Sequence, residues 1–270
     1  MYKIIKYIIL GIIQGLTEPL PISSSGHVIL FKYFFNIDFT DLNFEIIVHT
    51  GSLLAIIVLY FKDIKNIIIN SLKYIKTKNE LYKIDFKYLL LIIIGTLPVL
   101  IIGLLYKDKI ENILNNNIYI ISISFLLTSL FLYLIKNVRG IKNDYDITYK
   151  DALFIGIVQV IALIPGISRS GSTLIAALNR NIKKENSLKY SFMLFIPIGL
   201  GTTLLGINDI IKINNTELLL PYIFGFISSF IVSIITLKWF KKFVVNGKLI
   251  YFSIYCLIIG IISLIMLNFF

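Results

Sequence analysis

Charged residues are scarce in this chain: Asp, Glu, Lys and Arg make up 15 % of its 270 residues, against about 25 % in a typical soluble domain. The single cysteine, Cys256, excludes an intramolecular disulfide. Hydrophobic residues make up 57 % of the chain, mean hydropathy is +0.86, and the apolar residues come in blocks long enough to cross a bilayer. These features exclude an ordinary soluble domain and predict an integral membrane protein.

The net charge of +11 would suggest a nucleic-acid partner in a soluble chain. In a membrane protein such an excess is more often lysine at the cytoplasmic surface, so we expect no nucleic-acid partner. Of the 26 Lys and Arg residues, 19 fall in four loops, at 62–87, 136–150, 179–189 and 238–248. The positive-inside rule therefore predicts that these loops are cytoplasmic and that both termini are external.

Six apolar blocks are each long enough for a membrane crossing. They lie at 45–61, 88–106, 118–135, 188–205, 218–239 and 249–270. Two further apolar stretches, 4–35 and 152–178, are interrupted by segments rich in proline, glycine and hydroxyl side chains. Non-helical backbone survives at membrane depth only where it is buried in protein or lines a wet cavity. We therefore predict that both stretches are re-entrant helix hairpins.

The two interrupted stretches resemble each other at an offset of 145 residues. Gly-Ile-Ile-Gln at 11–14 aligns with Gly-Ile-Val-Gln at 156–159, and Ile-Ser-Ser-Ser-Gly at 22–26 aligns with Ile-Ser-Arg-Ser-Gly at 167–171. Three crossings separate the copies, and an odd number inverts the second. The predicted fold is an all-α integral membrane protein with six transmembrane helices plus two re-entrant helix hairpins in an inverted-topology repeat. It forms one membrane domain, 1–270, with repeats at 1–135 and 146–270.

Few ionisable residues lie inside the apolar segments, and each is a functional-site hypothesis because an intramembrane charge is costly. They are Glu18, His27, Glu45, His49 and Arg169. The two breaks also supply five serines, Ser23, Ser24, Ser25, Ser168 and Ser170, and two glycines, Gly26 and Gly171, that open the following helices. An arginine among hydroxyls, backbone N–H groups and helix N-termini suits a phosphate or pyrophosphate.

This set of residues predicts hydrolysis of a phosphoryl ester or anhydride. Ser24 is placed to attack phosphorus or to position a water molecule, and Glu18 is placed to act as a base or to ligate Mg²⁺ or Ca²⁺. His27 is expected to donate a proton to the leaving oxygen, and Arg169 to neutralise charge on the equatorial oxygens. The alternative interpretation is a buried structural ion pair between Glu18 and Arg169.

Three other polar residues are weaker or indirect candidates. Glu45 and His49 lie one helical turn apart, and a helix N-terminus and a buried histidine without catalytic function explain them better than a functional role does. Gln14 lies one turn before Glu18 on the same helix face, so we expect it to point into the same cavity.

Residues 14–27 and 165–171 resemble the two signature motifs of the bacitracin-resistance family of undecaprenyl-diphosphate phosphatases, and the resemblance extends along nearly the whole chain. It implies an enzyme that hydrolyses undecaprenyl (polyprenyl) diphosphate to the monophosphate, which recycles the lipid carrier for cell-wall synthesis and confers bacitracin resistance. It also implies a divalent cation, Mg²⁺ or Ca²⁺, and a site in the cell membrane that opens on the external face.

The resemblance assigns catalytic roles to Glu18, Ser24, His27 and Arg169. It assigns substrate binding to Gln14, Ser23, Ser25, Gly26, Ser168, Ser170 and Gly171. The family often has glutamate at the position of Gln14, so in this chain Glu18 must carry any metal-ligand or base function. Pro19 replaces a bulky apolar residue, which predicts a stiffer first break.

Two alternatives concern the function. Broken helices in an inverted repeat are also typical of transporters, so a polyprenyl-phosphate transporter or flippase remains a competing hypothesis. The signature of type-2 phosphatidate phosphatases also contains Ser-Gly-His, which residues 25–27 match. That class further requires a histidine six residues after the arginine of a Ser-Arg pair, and this chain has Ile175 there, so its catalytic scheme fails. The abundant small residues are compatible with a homodimer.

Overall fold

The computed structural model describes residues 2–34, 42–114, 117–211 and 216–267. The described residues form no β-strand; one isolated β-bridge joins Lys142 to Ile182. They form eleven α-helices, which are α1 Tyr2–Thr17, α2 Ser24–Phe34, α3 Leu42–Leu59, α4 Phe61–Thr77, α5 Lys83–Leu114, α6 Ile118–Ile135, α7 Tyr149–Val160, α8 Arg169–Asn179, α9 Lys184–Ile211, α10 Thr216–Val245 and α11 Leu249–Met266. The all-helical prediction is confirmed for these residues.

Within this part of the chain, five helices are long and apolar enough to cross a membrane. Their spans are Glu80–Tyr106, Ile118–Ile135, Lys184–Gly206, Leu218–Val245 and Leu249–Met266. A sixth candidate is the pair formed by α3 and α4, which bends by 72° at Tyr60. The chain is therefore a multi-pass membrane protein with five or six candidate spans.

Both predicted breaks occur where the sequence places them. α1 ends at Thr17 and α2 begins at Ser24, with Pro19 and Pro21 between them. α7 is followed by a short 3₁₀ turn, Ile161–Leu163, and then by the segment that leads into α8. Proline lacks a backbone N–H and clashes with the preceding turn, so neither helix continues through its break.

The first half of each broken pair is held by close contact with a long helix. α1 packs against α10, and α7 packs against α5. Where α7 contacts α5, the backbones of Gly156 and Gly95 meet directly. A Cβ atom added to Gly156 would lie 2.4 Å from the carbonyl oxygen of Gly95. Small residues permit such an approach between membrane helices. α6 packs against α11, and α9 contacts α3, α5 and α8.

A polar cluster fastens α7 at the lysine-rich end of the fold. Asp151, in the first turn of α7, accepts hydrogen bonds from Lys142 at 2.9 Å and from Arg180 at 2.7 Å, and it also accepts from the backbone and hydroxyl of Thr148. Burial opposes ionisation of this carboxyl, but the donated hydrogen bonds outweigh it and lower the pKa of Asp151 to about 2.

Candidate active site

The first break ends in a serine turn. The backbone N–H of Glu18 still donates to the carbonyl of Gln14 at 2.9 Å, so Glu18 extends the last turn of α1. Ser23 has a φ of 66°, in the left-handed region, and its hydroxyl accepts from the N–H of Gly26 at 3.3 Å. Ser23 thereby caps α2, and the N-terminus of that helix supplies a partial positive charge.

The second break is built in a similar way. Gly166 has a φ of 91°, which glycine adopts without a steric penalty. Ser168 caps α8, since its hydroxyl accepts from the N–H of Gly171 at 3.0 Å. The hydroxyl of Ser170 donates to the carbonyl of Leu20 at 2.8 Å, which ties the second break to the first. Two helix N-termini therefore meet where the breaks touch.

Glu18 lies at the centre of this meeting point and is 8 % exposed. One carboxylate oxygen forms an ion pair with Arg169, 151 positions further along the chain. The other accepts hydrogen bonds from the Ser24 hydroxyl and, at 2.9 Å, from the Gln14 amide, and it lies 3.7 Å from Nδ1 of His49. A carboxylate so enclosed is stable as an anion only because these partners replace water.

Arg169 is fixed between its carboxylate partner and an aromatic ring. Its guanidinium carbon lies 3.8 Å from the centre of the Phe195 ring, a cation–π contact, and the His49 ring meets the same ring edge to face at 5.1 Å. The remaining guanidinium N–H groups form no hydrogen bond with the described residues. They border an open cavity, and a fork of free donors is what a phosphate requires.

The cavity has a volume of about 380 Å³. Eight of the eleven predicted site residues line it: Gln14, Glu18, Ser23, Ser24, Ser25, Ser168, Arg169 and Ser170. Apolar side chains, among them Leu10, Val28, Phe44 and Val48, cover the rest of the wall. Gly26 and Gly171 lie behind the serines; a Cβ on Gly26 would meet the Phe125 ring at 2.9 Å and Gly166 at 3.0 Å.

His27 lies apart from these residues and does not line the cavity. Its Nδ1 donates to the carbonyl of Ser23 at 2.7 Å, and its Nε2 lies 2.7 Å from the hydroxyl of Tyr255, whose ring stacks on it. One ring nitrogen is therefore engaged by the serine turn and the other by Tyr255 of α11. In this geometry His27 supports the turn and lies outside the cavity lining.

The structure brings in residues that the sequence left weak or unassigned. His49, one of the weaker candidates, contacts Glu18, and Glu45 lines the same cavity. Gln159 also lines it, and its alignment with Gln14 in the internal repeat was the available signal. No sequence signal indicates that Phe195 belongs to the site, because it lies within an apolar block.

The described residues contain no group of three or more His, Cys, Asp or Glu side chains close enough to hold a metal ion together. Oxygen donors in the cavity are nevertheless present as the carboxylates of Glu18 and Glu45 and the amide of Gln14. Mg²⁺ is usually bound by one or two carboxylates together with the phosphates of a substrate. These residues fit that shared kind of site.

Comparison with known proteins adds an independent finding. Residues 7–262 match the family described as "Bacitracin resistance protein BacA". The chain belongs to this family. Among curated relatives, it is 46 % identical to undecaprenyl-diphosphatase 2 of Bacillus thuringiensis over 98 % of both chains. It is 44 % identical to undecaprenyl-diphosphatase 1 of Bacillus licheniformis over 97 % of both, and 41 % identical to the undecaprenyl-diphosphatase of Oceanobacillus iheyensis over 98 % of both. The family suggested by the two motifs is confirmed.

Proposed function

We propose that this protein is a membrane-embedded undecaprenyl-diphosphatase, which hydrolyses undecaprenyl diphosphate to undecaprenyl phosphate and inorganic phosphate. The names of its BacA-family relatives support this function. The observation that carries it is the contact of Glu18 with both Ser24 and Arg169 in one cavity. The monophosphate product returns to the lipid-carrier pool for cell-wall synthesis, which is consistent with bacitracin resistance.

In the proposed reaction Ser24 is the nucleophile. Its hydroxyl already donates to Glu18, so Glu18 takes the proton as the serine oxygen forms a bond to the terminal phosphorus. The bond from that phosphorus to the bridging oxygen breaks, and undecaprenyl phosphate leaves with the electron pair. Water then hydrolyses the phosphoserine to release phosphate. Arg169 and the N-termini of α2 and α8 stabilise the charge on the equatorial oxygens.

The remaining site residues bind the substrate or support the catalytic residues. Ser23, Ser25, Ser168 and Ser170 present hydroxyls along the cavity wall, and Gly26 and Gly171 let the two breaks pack closely behind these serines. The apolar wall suits the first isoprene units of the substrate. The cation that the family resemblance implies, Mg²⁺ or Ca²⁺, would be held by Glu18 together with the phosphates of the substrate and would offset the charge of the diphosphate.

The proposed membrane arrangement has six crossings, with α1–α2 and α7–α8 as the re-entrant hairpins of inverted repeats 1–135 and 146–270. The four loops with 19 of the 26 Lys and Arg residues then face the cytoplasm, and both termini and the cavity mouth face outwards. The contact between the two breaks supports this arrangement, because hairpins that enter from opposite sides meet at their tips.

Chemical crosslinking in native membranes tests the further proposal of a homodimer.

The test is phosphate release from undecaprenyl diphosphate by the purified protein, with Mg²⁺ or Ca²⁺ and then with chelator. Arg169→Ala and Glu18→Gln should abolish release; because each leaves a buried charge without its partner, the thermal midpoint of unfolding should fall, and activity is measured at a temperature at which both variants are still folded. Arg139→Ala, an exposed arginine outside the cavity, is the matched control and should retain full activity. A folded wild type that binds the lipid but releases no phosphate would contradict the proposal and favour a lipid-phosphate transporter, for which the relatives' names give no support.

A further inference from the structure

Gln159 is a buried amide whose hydrogen-bonding capacity is unused. It lies in α7 with 0 % of its surface exposed, and neither its amide nitrogen nor its amide oxygen has a partner among the described residues. Buried polar groups are nearly always satisfied, by protein or by ordered water, because an unmade hydrogen bond is costly. The amide therefore indicates a missing partner.

The space beside this amide fits one water molecule. Gln159 borders a small void of about 10 Å³, which Glu18, Arg169, Ser170, Thr173 and Ser191 also border. A void of roughly this size holds a single water where two to four polar groups surround it. A water both donates and accepts, as an amide does, so it satisfies both ends of Gln159 better than an anion, which only accepts.

The internal repeat explains why this amide is free. Gln14 aligns with Gln159 at the offset of 145, and Gln14 donates to Glu18, four residues later in the chain. The residue four positions after Gln159 is Leu163, which offers no acceptor. The second copy has thus kept the amide and lost the carboxylate.

We infer that Gln159 is a positioning residue for Arg169. It holds one buried water that accepts a hydrogen bond from the guanidinium, opposite the bond to Glu18. This arrangement fixes the plane of the guanidinium before the terminal phosphate arrives. The inference rests on the proposed function, since Arg169 is assigned there to the charge that develops on the phosphate.

Gln159→Met keeps the side-chain length and removes the amide. We expect kcat for phosphate release to fall about tenfold, the equivalent of one lost hydrogen bond, with KM within twofold of wild type and an unchanged or higher thermal midpoint. Gln159→Asn, which keeps an amide, should recover part of kcat. Thr128→Val is the matched control, because the Thr128 hydroxyl is also buried with no partner in the described part of the chain and borders neither cavity; it should leave kcat unchanged.

A Gln159→Met protein with wild-type kcat would overturn the inference, and so would a rise in KM alone, which would indicate direct contact with substrate. If the wild type released no phosphate, the proposed function would fail first. In that case a high-resolution structure decides: an ordered water between Gln159 and Arg169, absent in Gln159→Met, supports the positioning, and an empty void overturns it.

A second inference concerns α4, which lies across the direction of α3. Ile67 and Ser71 face the protein and are buried, whereas Ile68, Leu72 and Ile75 are each about half exposed. These three residues follow helical spacing and form an unpartnered apolar stripe. The 72° bend between α3 and α4 turns α4 away from the direction of α3, so α4 would lie along a bilayer surface if α3 crosses the membrane.

Lysines run along one edge of the apolar stripe. Lys62, Lys65 and Lys76 are exposed and form no ion pair with any described residue; the only acid of α4, Asp63, pairs with Lys189 instead. Unpaired lysines beside an apolar stripe are complementary to a bilayer with anionic headgroups. We propose that α4 lies in the membrane surface and binds anionic phospholipid through these lysines.

The test compares the protein in nanodiscs of phosphatidylcholine alone and with one-third phosphatidylglycerol. Phosphatidylglycerol should raise the thermal midpoint of unfolding by about 5 °C. The triple variant Lys62→Gln, Lys65→Gln, Lys76→Gln should lose most of that rise, and a control triple at exposed Lys83, Lys150 and Lys238 should keep it. An equal rise in the α4 variant, no rise in the wild type, or a rise produced only by an acidic peptide would overturn the proposal.

Discussion

The crossing of α5 and α7 offers a sharp test of the packing that positions the site. Gly156 and Gly95 meet there without side chains between them, and Gln159 lies one turn further along α7. Gly156→Ala would place a methyl group 2.4 Å from the carbonyl oxygen of Gly95. Carbon–oxygen contacts normally begin near about 3.3 Å, so the two helices must separate by about 0.9 Å.

The size of the effect follows from two opposing contributions. Overpacking of this kind costs about 1–3 kcal/mol, while replacing glycine by alanine within a helix gains about 1 kcal/mol. We therefore expect a net loss of about 0–2 kcal/mol in the free energy of unfolding. Activity should suffer more, because a displacement near 1 Å at a catalytic group can reduce the rate about 100-fold.

The assay pairs the thermal midpoint of unfolding in detergent with phosphate release from undecaprenyl diphosphate. Gly201→Ala is the control, since no atom of the other described elements lies within 4 Å of a Cβ added there; it should gain up to about 1 kcal/mol and keep full activity. The reasoning is refuted if Gly156→Ala is as stable and as active as Gly201→Ala.

Four further outcomes are expected. Arg169→Lys should lower kcat/KM at least about 100-fold at an unchanged thermal midpoint, because an ammonium replaces a planar fork of donors; retained activity in the phosphate-release assay would contradict a bidentate role. His49→Gln should lower kcat/KM about tenfold without affecting the thermal midpoint, since His49 approaches Glu18 at 3.7 Å. His27→Ala should lower the thermal midpoint and activity together, because this histidine holds the serine turn; a loss of activity alone would argue for a direct chemical role. The depressed pKa of Asp151 contributes stability above about pH 4 that is lost as the pH falls towards about 2, so the thermal midpoint should decline over that range in the wild type and less in Asp151→Asn.

The sequence predicted the parts of this fold that depend on local chemistry. Both breaks are at the predicted segments, where proline, glycine and hydroxyl side chains are clustered; the single prolines Pro98, Pro197 and Pro221 lie inside helices and stop none of them. Helix ends were less accurate: the block at 88–106 is the centre of a helix that runs over Lys83–Leu114. Polar flanking residues continue a helix beyond its apolar part, because helical hydrogen bonds do not require apolar side chains.

The site also combines features that the sequence predicts with features that depend on how the chain packs. The pairing of Glu18 with Arg169 follows from two costly charges in two breaks, and it is found. The orientation of the His27 side chain depends on the turn at Ser23, and that of His49 depends on how α3 packs. Residue spacing predicts neither orientation. Spacing alone therefore favoured His27, whereas the folded chain turns His49 towards Glu18.

The ion pair at the centre of the cavity has a consequence for turnover. A phosphate that binds the free N–H groups of Arg169 also meets the negative charge of the Glu18 carboxylate, so the net gain on binding is smaller than for an unpaired arginine. After hydrolysis the same repulsion favours departure of inorganic phosphate. In the proposed reaction Glu18 therefore opposes tight binding of phosphate, which keeps the site from being blocked by the phosphate that it releases.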